Sequence, residues 1–194
     1  DIQDAAWSDE SPELNIPETD FEGYANFAGK SKVLAIVLEG KSVERAVSSE
    51  KIAVYLDKTP FYAEGGGQVS DKGFMYNDSV KMFVESVSKS KGLYKHIAVI
   101  EEGNLSLGDT LITEIDSIKR NKTARNHTAT HLLQASLRKV LGGHVQQAGS
   151  LVNEKELRFD FNHFEAMTAG QIEDVQNIVN EEINKFIRIS TCET

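Results

Sequence analysis

A chain of 194 residues, 40% of them apolar, can bury one medium core or two small ones, and its composition is globular rather than disordered. Its net charge of −9 is local: residues 1 to 22 carry eight acidic side chains and no basic one, leaving 22 acidic against 21 basic residues elsewhere. The single cysteine, Cys192, excludes an internal disulfide framework, and with no signal peptide and no apolar run of membrane-spanning length the sequence predicts no membrane association and a reducing, cytoplasmic setting.

The opening stretch, residues 1 to 20, is acidic, holds two of the three prolines and has no sustained period, which reads as a linker or the tail of a preceding element. It starts without methionine and in mid-pattern, as an excised fragment would. From Lys32 to Ile115 come short apolar runs separated by turn residues: KVLAIVLEG, KIAVYLDK, VKMFVESV, LYKHIAVI and DTLITEID. Rich in Val, Ile and Tyr, they predict an antiparallel sheet or small barrel. In KMFVESV, strict alternation puts Met82, Val84 and Ser86 on one face and Phe83, Glu85 and Val87 on the other. Small barrels bind RNA, proteins or nothing, so this architecture alone decides no function.

Within that region, TPFYAEGGGQVSDKG places Gly65, Gly66 and Gly67 in a loop, flanked by Glu64 and Gln68. It matches neither the dinucleotide nor the P-loop spacing. One reading is a tight turn or bulge with positive φ; the other is a backbone surface that something approaches closely.

Past Ile118 the period becomes helical. Ala124, Leu132, Leu133, Ala135, Leu137, Val140 and Leu141 punctuate residues 121–141, and Gly142-Gly143 supplies a stop. GSLV, ELRFDF and FIRIST suit strands. Thr168 and Gln171 form a capping box before a second helix carrying Ile172, Val175, Ile178, Val179, Ile183 and Phe186. The whole is α+β.

Lys119, Arg120, Lys122 and Arg125 fall within seven positions, a cluster that either meets phosphates or is a solvated helix start. His127 and His131 lie four apart on the same helix, on one face and close enough to share an ion. The same spacing also arises by chance or in hydrogen-bonded core histidines, and by itself it favours these over a metal site. Thr128 follows His127, so the pattern is H-x-x-x-H and lacks the glutamate base of a zinc metalloprotease. His96, His144, His163, Cys192 and carboxylates such as Asp160 are the remaining ligand candidates, and none is expected to form a second close pair. No nucleophile elbow or reactive-cysteine context is present.

Taken together, TPFYAEGGGQVSDKG, RNHTATHLLQASLRKVLGGHVQQAGSLV and LRFDFNHFEAMT resemble the editing region of the alanyl-tRNA synthetase family, and TDFEGYANFAG resembles the join to the helical part that precedes it. The resemblance runs from about Thr19 to Arg188. It implies a small antiparallel β-barrel over residues 21–118 and an α/β two-layer editing core of the threonyl/alanyl-tRNA synthetase type over 119–194, truncated at the C-terminus. It implies that His127 and His131 are two of four zinc ligands, the others coming from a C-x-x-x-H beyond this chain. Thr130 and Gln147 match amino-acid pocket residues with catalytic roles, while Gly65, Gly66, Gly67, Gln68 and Arg125 match the substrate-binding side.

The implied partner is tRNA(Ala) mischarged with serine or glycine, and ATP and magnesium belong to an aminoacylation domain elsewhere in such a ligase. A non-catalytic tRNA-binding module, a free-standing editing protein and an unrelated histidine-metal hydrolase are the alternatives.

Overall fold

A computed structural model describes residues 14–186. The acidic positions 1–13, the stretch 187–191 expected to continue a strand from Phe186, and Cys192 lie outside the described residues. In chain order the elements are β1 (Asp20–Phe21), β2 (Ala28–Leu38), β3 (Lys41–Val43), β4 (Arg45–Val47), β5 (Lys51–Leu56), β6 (Lys58–Thr59), β7 (Gly73–Tyr76), β8 (Val80–Ser90), β9 (Leu93–Ser106), β10 (Thr110–Ile115), α1 (Ser117–Leu141), β11 (Gln147–Val152), β12 (Leu157–Phe161) and α2 (Ala169–Asn184). No described helix is long and apolar enough to cross a membrane.

The chain divides into two compact units. The first takes the described chain through Gly65 together with Val69–Arg120; the second takes Gly66–Gln68 and the chain from Asn121 onward.

In the first unit, six strands close an antiparallel barrel in the order β10, β7, β8, β9, β5, β2, with β2 returning to β10. Closure depends on the length of β2. Its first half pairs with β10, Ala28 opposite Glu114 and Lys32 opposite Thr110, while the second half pairs with β5, Ile36 opposite Val54. Closing the ring leaves these strands no open edge. The interior is filled by Ile36, Leu56, Met75, Met82, Ile100 and Leu111. Burial alternates cleanly along β10, with Leu111, Thr113 and Ile115 inside.

Along β8 the expected alternation breaks. Met82 and Val84 are buried as expected, but Ser86 is exposed and Val87 is buried. The pairing with β9 shifts register between Val84 and Ser86, and the extra residue of that bulge reverses the facing of everything after it.

The end of the acidic segment is held against the barrel. Leu14 and Ile16 pack on an outer cluster of Ala35, Val37, Ala53 and Tyr55. The Thr19 amide donates to the Gly92 carbonyl at 3.0 Å, and its hydroxyl donates to the Leu56 carbonyl at 2.9 Å.

In the second unit α1 and α2 share a small core with the β11–β12 hairpin: Leu137, Val145 and Val175 are buried, with Leu133, Phe159 and Val179 packed around them. Thr168 caps α2 reciprocally with Gln171, as its sequence predicts. Of the apolar stripe on α2 only Val175 is fully buried, and Ile172 and Ile183 stay exposed; Phe186, expected on the helix, lies beyond its end at positive φ and is exposed.

Candidate functional site

The site is organised by α1. Asp116 caps the helix, its carboxylate accepting the Lys119 amide at 3.0 Å and its carbonyl the Arg120 amide at 2.9 Å. The helix stops at Gly142, where φ is +114° and the amide donates back to the Arg138 carbonyl. Helical spacing then stacks the imidazoles of His127 and His131, their ring centroids 5.0 Å apart and their planes 20° from parallel. His131 is exposed and His127 half-buried. Burial, and secondarily the neighbouring His131, lowers the pKa of His127. That favours the neutral imidazole a metal requires.

Behind His127 stands Gln68. Its Oε1 lies 2.5 Å from His127 Nδ1, and the residue is buried. The preceding turn uses Gly66 and Gly67 at φ values of +60° and +80°, so the positive-φ reading of the three glycines holds for these two. The close approach is made by the chain itself: a Cβ on Gly67 would sit 2.7 Å from the Ser150 carbonyl oxygen of β11.

Thr130 is buried on α1, its hydroxyl donating to the Asn126 carbonyl at 2.8 Å. Gln147 is exposed at the start of β11, and Arg125 is exposed on α1. Gly65 is the last residue of the first unit's N-terminal stretch, one residue before the part of the loop, Gly66–Gln68, that groups with the helix. The loop and the histidine helix are thus joined through Gln68, whereas Gln147 stands at the end of β11 away from Val152.

Arg120 is not available to phosphates. It is buried in an ion pair with Asp71, and its two Nη groups also donate to the Gly23 carbonyl at 2.8 Å and the Pro60 carbonyl at 3.0 Å. Its position on the first turn of α1 aims it inward, while Lys119, Lys122 and Arg125 remain exposed.

The other ligand candidates among the described residues are placed as follows. His96 is fully buried in the barrel, bonded to Thr59 Oγ1 at 2.8 Å and to the Val54 carbonyl at 3.0 Å. Asp160 pairs with Arg158 at 3.2 Å. The expectation that no second close histidine pair exists is corrected: the hairpin brings His144 Nε2 within 2.9 Å of His163 Nδ1, and Phe164 stacks on His144 with centroids 4.6 Å apart. Nineteen residues separate the two, so no spacing rule exposes the pair. No third His, Cys, Asp or Glu joins either pair into a metal-sized cluster among the described residues. Among the described residues His127 and His131 can thus offer at most two of the four positions a tetrahedral zinc would need.

A family model described as class II (A) tRNA synthetases matches residues 4–119, and the chain belongs to that family. Among its relatives it is 46% identical over 91% of its length to the alanine–tRNA ligase of Pseudomonas fluorescens, and 45% identical over 91% to that of Alkaliphilus oremlandii. It is also 44% identical over 89% to the alanine–tRNA ligase of Thermoanaerobacter pseudethanolicus. The chain spans about a fifth of the length of these curated relatives, 20% in each case.

Proposed function

We propose that this chain is part of the editing module of an alanine–tRNA ligase, the module that hydrolyses tRNA(Ala) mischarged with serine or glycine. The observation that carries the reading is the stacked pair His127 and His131 on α1, with the glycine loop brought to it by Gln68.

The chemical need is plain. A synthetic pocket sized for alanine excludes glycine poorly and cannot strongly reject serine, which merely adds a hydroxyl. A second pocket that hydrogen-bonds that hydroxyl can refuse alanine, whose methyl would leave buried polar groups unpaired.

His127 and His131 hold two positions of a zinc ion, with the remaining ligands supplied by a C-x-x-x-H elsewhere in the parent protein. Bound zinc supplies Lewis acidity toward water and a positive charge that orients the substrate. Thr130, its proton committed to the Asn126 carbonyl, offers an oxygen acceptor to the aminoacyl group, and the exposed Gln147 amide meets the serine hydroxyl. The loop Gly65, Gly66, Gly67 and Gln68 lies toward the substrate end. In the parent, ATP and magnesium serve the separate ligation reaction, in the cytoplasm.

The test uses the full-length ligase. His127→Ala with His131→Ala is expected to lose zinc by elemental analysis and to slow deacylation of Ser-tRNA(Ala) on the order of 100-fold or more, with alanine ligation retained. Native rates of serine removal in that variant would sink the reading.

A second reading, tRNA holding without hydrolysis, is favoured by the exposed Lys119, Lys122 and Arg125, spaced three apart along α1. If Lys122 and Arg125 touch phosphates, reversing both to Glu flattens the log–log salt dependence of tRNA binding by about 1.8, roughly 0.9 per contact. An unchanged slope removes them from the interface.

A further inference from the structure

Gln68 sits in a loop that the proposed function places toward the substrate, yet it is only 6% exposed and its amide oxygen is spent on His127. The contact is fixed from both sides by adjacent residues of one hairpin. Gln68 pairs with Val152, whose amide donates to the Gly67 carbonyl at 2.7 Å. Asn126, the residue before His127, donates through Nδ2 to the carbonyl of Asn153 at 2.8 Å. Loop and helix are thus each tied to neighbouring positions at the end of β11, and the separation of Gln68 from His127 follows from those ties. The strand can approach only because residue 67 has no Cβ.

An amide oxygen has no proton to give, so the hydrogen in this contact sits on His127 Nδ1. The lone pair of the neutral ring is then on Nε2. From this geometry we infer that Gln68 is a positioning residue: it holds His127 in the Nδ1–H tautomer and presents Nε2 as the metal-binding nitrogen. Outer partners of this kind fix the tautomer and ring orientation of ligating histidines. The metal-directed half of this inference rests on the zinc reading above; the tautomer half does not.

The two halves are measured separately. On this chain in chelator, with the histidines neutral, long-range proton–nitrogen correlation spectra of nitrogen-15-labelled protein report which ring nitrogen of His127 carries hydrogen. The native chain is expected to show Nδ1–H, Gln68→Leu to lose that preference, and Gln68→Glu, which keeps an acceptor in the same place, to retain it. An Nε2–H tautomer in the native chain, or the same tautomer in Gln68→Leu as in the native chain, overturns the inference.

In the full-length ligase, zinc competition is expected to weaken about 10- to 100-fold in Gln68→Leu and to return near native in Gln68→Glu. Should Gln68→Leu fail to fold, Gln68→Glu against Gln68→Asn, whose shorter arm withdraws the acceptor, gives the same contrast. Unchanged zinc affinity overturns the orienting role. A native full-length protein that holds no zinc, with Nδ1–H still lost in Gln68→Leu, overturns the zinc reading while the tautomer assignment stands.

Discussion

Replacing Arg120 with Ala is expected to cost the barrel unit about 3–5 kcal/mol, read as a fall in the urea midpoint, because it strands a buried carboxylate. The Arg120 and Asp71 side chains are 10% and 7% exposed. Nε of Arg120 lies 2.9 Å from each Asp71 oxygen, and Asp71 Oδ2 also accepts the Tyr62 amide at 2.9 Å. The Gly23 and Pro60 carbonyls take the rest of the guanidinium, so one side chain joins three separated segments. Arg120→Lys keeps the charge and cannot reproduce the fork, and is expected to recover only part of the loss. Asp71→Ala should cost a similar amount, and the double variant less than the sum of the two, since each partner is costly chiefly when left alone. Strictly additive losses would mean that the pair is not the source. The tRNA salt dependence is expected to stay at its native slope, in contrast to reversal of Lys122 and Arg125.

The second large effect is one of pH. His96 is fully buried, with Nδ1 donating to the Val54 carbonyl and Nε2 accepting from Thr59 Oγ1. Burial lowers its pKa from 6.5 to about 4, against smaller upward pulls from backbone hydrogen bonds at Val54 and Tyr94. The unfolded chain therefore takes up this proton first as the pH falls. The stabilisation is complete above pH 6.5 and disappears progressively between 6.5 and about 4.

At about 1.36 kcal/mol per pH unit this amounts to about 3 kcal/mol. His96→Gln, which offers a donor and an acceptor but does not titrate in this range, is expected to remove that slope. The measurement is the difference in unfolding free energy between the two proteins across the window. A pH-independent difference would mean that His96 is protonated alike in both states.

Both groups read differently in the sequence, Arg120 as a member of a basic cluster and His96 as a spare ligand. What the sequence by itself determined is what one element's period and caps dictate. The i, i+4 spacing of His127 and His131 requires that they share a helical face, and they stack. Thr168 and Gln171 start α2 because their side chains satisfy each other's free amides locally. The runs that became β2, β5, β8, β9 and β10 announce themselves by β-branched density.

Tertiary structure alone decided the pairings that reach across the chain. The short strands β1, β3, β4, β6 and β7 have too few residues to show a period and exist by virtue of their partners. The bulge that turns Val87 inward is a property of the β8–β9 register, which is set by two strands together. Asp71 meets Arg120 across 49 residues and Gln68 meets His127 across 59. Neither contact has a local signature, because a buried hydrogen bond between distant side chains is fixed by packing around it and by no spacing in either segment. The histidine pair was legible as a helical face; the glutamine behind it came into view only once the loop was folded against β11.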